Sequence, residues 1–120
     1  MAPRRSTVLA ALASTLTATV LIGGGPAAAA SPTVRFVDLP GDGVTLKANV
    51  VAPASGAGHP AVVFPSSWGL NDLEYLAQAK AMADSGYVVV SYTPRGWWSS
   101  GGEIDTAGPL DMADLSKVID

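Results

Sequence analysis

The sequence contains no cysteine. That excludes a disulfide-stapled scaffold, a zinc finger and a thiol enzyme. It contains one histidine, His59, so a multi-histidine metal site is excluded as well. Charged residues make up 14% of the chain and acids outnumber bases, ten to seven. Two of the seven bases, Arg4 and Arg5, fall in a leader-like segment, so the remainder is more acidic still. A nucleic-acid binder would need a basic face, and a polybasic membrane module a basic cluster; neither is present. There is no G-x-x-x-x-G-K phosphate loop, no G-x-G-x-x-G turn and no G-x-S-x-G nucleophile elbow. At 48% hydrophobic residues, the chain of 120 is too apolar to be disordered and long enough for one domain at most.

What is present begins with a leader. Met1 to Arg5 carries the two arginines, Val8 to Ile22 is apolar, and Gly23 to Pro26 breaks any helix. Ala28-Ala29-Ala30 offers the small residues that a signal peptidase reads. The apolar run of 15 residues falls short of the roughly 20 needed to span a bilayer. Ser6 and Thr7 make a poor twin-arginine context, so the general secretory route is expected. Residues 1–30 are therefore expected to be a signal peptide cleaved near Ala30-Ser31. The mature protein would be secreted, with no stable membrane anchor.

Residues 31–120 read as a mixed α/β segment. Val34 to Leu39 and Val44 to Ala52 form a hairpin around the turn Pro40-Gly41-Asp42-Gly43, expected at a sheet edge with one solvated face. Ala61 to Phe64 and Tyr87 to Val90 are short continuous apolar runs, as in parallel strands covered on both faces. Between them Asn71 predicts a helix N-cap, with Asp72 and Glu74 in the first turn. Leu73, Leu76, Ala77, Ala81 and Met82 would form the apolar stripe, and Gly86 the stop. Pro109 opens a second helix with an apolar face of Leu110, Ala113, Leu115, Val118 and Ile119. These elements cannot close a core alone, so the segment is expected to be the N-terminal piece of a larger domain.

Few residues offer chemistry. Ser66-Ser67 and Ser99-Ser100 lack a histidine within sequence reach and read as loop alcohols. His59 precedes an apolar strand, at the end of the sheet opposite to where open α/β sheets bind ligands. Glu103, Asp105, Asp111 and Asp114 lack calcium-loop spacing and read as solvated acids near a helix start, so no metal site is expected. The loop Pro65 to Asn71 leaves the carboxyl end of a strand and enters a helix. Its Ser67 and Trp68 are candidates for an oxyanion loop, with main-chain N–H groups as donors; a packed structural connection is the alternative.

The segment Gly86-Tyr87-Val88-Val89-Val90-Ser91-Tyr92-Thr93-Pro94-Arg95-Gly96-Trp97-Trp98-Ser99-Ser100-Gly101-Gly102-Glu103 resembles an α/β-hydrolase signature. It is similar to the Xaa-Pro dipeptidyl-peptidase and cocaine-esterase-like branch, whose pattern is roughly G-Y-V-V-V-x-x-D-x-R-G-x-G-x-S-x-G. Asp42 to Ala48 resembles that branch's edge hairpin, Pro60 to Phe64 its strand before the oxyanion loop, and Asp114 to Asp120 the helix before the nucleophile strand. Thr93 stands where Asp is usual and Trp98 where Gly is usual, while Arg95 and Gly96 are kept. The branch commonly supplies a Tyr hydroxyl at the oxyanion loop. Trp68 lies nearby here, and an indole N–H is a donor without a hydroxyl.

The resemblance implies an N-terminal fragment of an α/β-hydrolase fold, truncated before the nucleophile elbow. It implies a secreted serine hydrolase acting on a small-molecule ester or peptide substrate, with no cofactor. The Ser, the Asp or Glu and the His would lie beyond Asp120, in that order, leaving this fragment inactive. Arg95 and Gly96 would brace the floor of the site. A non-catalytic exported α/β module that binds a ligand at its strand ends is the competing reading.

Overall fold

The computed structural model describes residue 25 and residues 27–120. The leader features over residues 1–24, and Pro26, lie outside the described residues. Four strands form one sheet: β1 (Thr33–Pro40), β2 (Thr45–Ala52), β3 (Ala61–Pro65) and β4 (Val88–Tyr92), in the order β1-β2-β4-β3. Helix α1 (Leu76–Asp84) joins β3 to β4, and α2 (Pro109–Ile119) follows β4. Among the described residues no helix is long and apolar enough to cross a membrane.

β1 and β2 pair antiparallel from Thr33↔Ala52 to Pro40↔Thr45, and the Gly41 N–H closes the turn onto the Val44 carbonyl at 2.8 Å. β4 pairs antiparallel with β2 and parallel with β3. The hairpin is therefore not solvated along one face as expected. β2 lies inside the sheet and buries Leu46, Ala48, Asn49 and Val51, which point to both faces. Within the hairpin only β1 keeps edge character, with Phe36 largely exposed. β3 departs in the other direction: its residues are half-buried or exposed, because among the described strands it has a partner on one side only.

Each face of the sheet carries one helix. Val51, Ala79, Ala83 and Val89 form the core under α1, with Phe64, Leu76 and Met82 packed around it. Leu46, Ala48 and Tyr92 form the core under α2, with Val63, Leu115 and Val118 against them. The α2 face is narrower than its sequence suggests, since Leu110 and Ile119 stay exposed.

α1 starts four residues later than the Asn71 cap predicts, with Tyr75 at the cap position. Asn71 Oδ1 instead accepts the Leu73 N–H at 3.1 Å, a local Asx turn, and successive turns carry the chain to Leu76. Asp72 is buried against the sheet, which keeps this stretch out of the helix. The buried stripe is accordingly Ala79 and Ala83, with Leu76 and Met82 at its margin, while Leu73 is exposed. The stop is as expected: Gly86 sits at φ 95° and its N–H reaches the Ala83 carbonyl.

Asp114 corrects the expectation of a solvated helix-start acid. It is 1% exposed and forms a two-point ion pair with Arg95, Nε to Oδ2 and Nη2 to Oδ1, both at 2.8 Å. Its Oδ1 also accepts the Asp42 N–H at 2.7 Å, and Arg95 Nη2 donates to the Asp42 carbonyl at 3.0 Å. One ion pair thus clamps the β1–β2 turn, the loop after β4 and helix α2. The adjacent Gly96 has φ 75°, and a Cβ there would lie 2.3 Å from the Ile104 nitrogen. Gly43 has a similar φ of 70° with nothing near its missing Cβ. Backbone strain alone costs about 1–3 kcal/mol. Gly96→Ala is therefore expected to destabilise the full-length protein clearly more than Gly43→Ala, measured by denaturant titration; equal midpoints would refute the tight approach.

Candidate active site

A cavity of about 340 Å³ opens at the carboxyl ends of β3 and β4, beside α2. Trp68 and Trp97 wall it, Ser66 and Tyr92 line it from the strand ends, and Met112 and Leu115 come from α2. The two indoles meet edge to face, with ring centroids 4.9 Å apart and an interplanar angle of 72°. Trp98 turns away from the cavity and donates its ring N–H to the Gly69 carbonyl at 3.1 Å, linking the loop after β4 to the loop after β3. Trp98 has φ 50°, so it occupies the left-handed region in which a glycine would be unstrained. Thr106 and Ala107, on the cavity rim, have φ 48° and 57°. Such outliers persist only where surrounding contacts hold them. Here Asp111 does so in part, accepting the Ala107 N–H at 2.7 Å.

The two oxyanion-loop candidates separate. Trp68 lines the cavity, whereas Ser67 does not. Glu74 accepts the Ser67 main-chain N–H at 2.6 Å and its hydroxyl at 2.7 Å. These two bonds, hydroxyl first, hold the Glu74 carboxyl below its ordinary range. Ser66, read from sequence as a loop alcohol, is the serine that lines the cavity. Its N–H donates to the Tyr92 carbonyl at 2.9 Å and its hydroxyl to the Leu70 carbonyl at 3.1 Å. The main-chain N–H groups of Trp68 and Gly69 have no acceptor among the described residues. Free donors beside a cavity suit a carbonyl oxygen that gains negative charge.

Tyr92 went unnoticed in the sequence because it reads as one more strand residue. Burial, with Asp111 and Asp114 adding to it, pushes its hydroxyl up to about 12. It remains a neutral donor at any physiological pH. Asp105 Oδ2 accepts the N–H groups of Leu110 and Asp111 and so caps α2, and Glu103 is exposed. Among the described residues no cluster of metal-ligating side chains occurs. His59 lies at the other end of the sheet, Nδ1 against the Gly86 carbonyl at 3.0 Å and Nε2 against the Ser55 carbonyl at 3.1 Å. Arg95 and Gly96 belong to the clamp under the loop that carries Trp97, and neither lines the cavity.

This geometry can be set beside known proteins. The sequence pattern of the X-Pro dipeptidyl-peptidase (S15) family matches residues 42–120. The chain belongs to this family. No curated protein matches it. Among solved structures, an esterase of Pyrobaculum calidifontis is 29% identical with a TM-score of 0.56, over 72% of this chain and 28% of the esterase. A hypothetical protein of Pseudomonas aeruginosa is 24% identical with a TM-score of 0.63, over 76% of this chain and 30% of its own. An α/β serine hydrolase without a lid from Xanthomonas campestris is 24% identical with a TM-score of 0.55, over 71% of this chain and 42% of its own. The S15 chain thus has an α/β-hydrolase sheet and spans less than half the length of these structures. It is a hydrolase-family chain, related to esterases and peptidases.

Proposed function

We propose that the full-length S15 protein is an exported serine hydrolase that cleaves ester or amide bonds. Residues 31–120 would supply the oxyanion loop and part of the substrate wall. The observation that carries this reading is the placement of the Trp68 and Gly69 N–H groups. Among the described residues they have no acceptor, they lie in the loop after β3, and Trp68 lines a cavity at the carboxyl ends of two strands. The nucleophile, acid and base lie beyond Asp120, since no elbow motif occurs within this sequence and His59 faces the opposite end of the sheet. The largely apolar lining favours small esters and neutral peptides as substrates. Export rests on the leader pattern, and β1 begins at Thr33, so cleavage at Ala30-Ser31 removes no element of the sheet.

A fluorophosphonate probe tests the proposal. The full-length protein is expected to label covalently and to hydrolyse a small activated ester, while residues 1–120 alone do neither. Labelling of this segment at Ser66, Ser67, Ser99 or Ser100 would overturn the assignment of the nucleophile. A folded full-length protein that does not label would favour ligand binding without catalysis at the same cavity.

A further inference from the structure

The far end of the loop that carries Trp68 is held to the sheet through the buried Asp72. Asp72 donates its main-chain N–H to Thr93 Oγ1 at 2.9 Å, and the Thr93 hydroxyl donates to Asp72 Oδ1 at 3.1 Å. From β2, Asn49 Nδ2 donates to Asp72 Oδ2 at 3.1 Å and also to the Asp72 carbonyl. Asn49, Asp72 and Thr93 are all buried. At the start of the loop the buried Ser66 donates its N–H and hydroxyl to the Tyr92 carbonyl, while the ties Glu74 to Ser67 and Trp98 to Gly69 are exposed. Water competes for the exposed ties and not for the buried ones, so Ser66 fixes where the loop begins and the Asp72 contacts fix where it ends.

Both partners of Asp72 are themselves fixed. The Thr93 N–H donates to the Lys47 carbonyl at 2.8 Å, and its carbonyl accepts the Ser100 hydroxyl at 2.7 Å. The Asn49 amide has one workable orientation. Turned over, it would set its oxygen against two oxygens of Asp72. In the observed orientation Asn49 Oδ1 is buried without a partner among the described residues, as is Ser91 Oγ on the residue directly across the strand pair. A buried, unpaired oxygen is costly. The chain bears that cost at the point where the loop meets the sheet. The carboxylate in this contact comes from the loop, not from the end of β4, where the hydrolase pattern places an Asp and this chain has Thr93.

We propose that Asn49, Asp72 and Thr93 are positioning residues: by fixing Asp72 they set where the Trp68 wall and its unpaired N–H groups stand over the strand ends. The effect on rate rests on the hydrolase reading; the effect on the loop does not. Two measurements on the full-length protein keep these apart, namely amide hydrogen exchange and steady-state kinetics with p-nitrophenyl acetate.

Thr93→Val keeps the shape and removes the hydroxyl, and Thr93→Ser keeps the hydroxyl. Thr93→Val is expected to speed exchange of the 66–75 amides about tenfold. It is expected to lower kcat about tenfold with KM within about threefold, since small misplacements of an aligned site are costly. Thr93→Ser is expected to restore both. Asp72→Asn is expected to act in the same direction as Thr93→Val and serves if that variant fails to fold. Unchanged loop exchange in a folded Thr93→Val or Asp72→Asn variant overturns the proposal. Equal damage from Val and Ser also overturns it, because packing and not the hydroxyl would then be the cause. A wild-type protein that neither labels nor hydrolyses overturns the hydrolase reading alone, and the exchange result still decides the positioning role.

Discussion

Asp114→Ala is expected to cost the full-length protein about 3–5 kcal/mol, the penalty for leaving one member of a buried ion pair alone. The Arg95 side chain is 5% exposed and meets the carboxylate at two points. Without Asp114 the guanidinium would be buried with no counter-charge. It cannot escape by losing its proton, because a guanidinium stays charged even without the bonds it donates to Asp114, which raise its pKa further in the intact protein. The Asp42 N–H loses its acceptor as well, so the β1–β2 turn loosens with the loop. The pair Lys47–Asp38 gives the contrast. Its N–O distance is 2.7 Å, yet the side chains are 42% and 58% exposed. Asp38→Ala is expected to cost no more than about 1 kcal/mol. Replacing both Arg95 and Asp114 by apolar residues of similar volume is expected to recover much of the loss, since no buried charge then remains. Denaturant titration of these three variants beside the wild type checks this. An Asp114→Ala protein within about 1 kcal/mol of wild type would show that the clamp does not hold these segments together.

The regular parts of this fold were legible because their causes are local. Alternation and the Pro40–Gly43 turn announce the β1–β2 hairpin, and Ala61 to Phe64 and Tyr87 to Val90 announce the parallel pair. The misreadings share a cause: a side chain was spent on something distant. Asn71 looks like a helix cap, but the next residue, Asp72, is drawn 21 positions along the chain to Thr93. Asp114 looks like a solvated acid, but its partners lie 19 and 72 positions away. Ser67 looks like a free donor until Glu74 is seen folded back on it. Trp98 is a mixed case. Its place in the glycine position of the hydrolase pattern signals a left-handed residue, and the structure has it at φ 50°. Composition and spacing alone give no such signal. The cavity was foreshadowed by topology, since it opens where two parallel strands end, but Tyr92 and Ser66 enter it through strand register that periodicity does not reveal.

On the hydrolase proposal, Trp68→Pro is expected to lower kcat of the full-length protein about 10²- to 10³-fold, whereas Trp68→Ala is expected mainly to raise KM. The two variants remove different things. Alanine deletes an indole that is 72% exposed and packs edge to face on Trp97. It leaves every main-chain group in place, so the loss is substrate-binding surface that serves ground state and transition state alike. Proline also deletes the Trp68 N–H, which has no acceptor among the described residues and belongs to a residue that lines the cavity. An oxyanion donor acts chiefly on the charge that develops during reaction, so its loss falls on kcat. Ser67→Pro is the necessary comparison, because the Ser67 N–H is already bonded to Glu74 and is no donor to a ligand. That variant loosens the loop without deleting a free donor, and its kcat is expected to fall between the other two. Retained β-sheet signal and a cooperative melt establish that each variant is folded before its kinetics are compared. If Trp68→Pro and Trp68→Ala show the same kcat, the Trp68 N–H does not face the reacting oxygen. The donor would then have to be the Gly69 N–H or a group outside this loop.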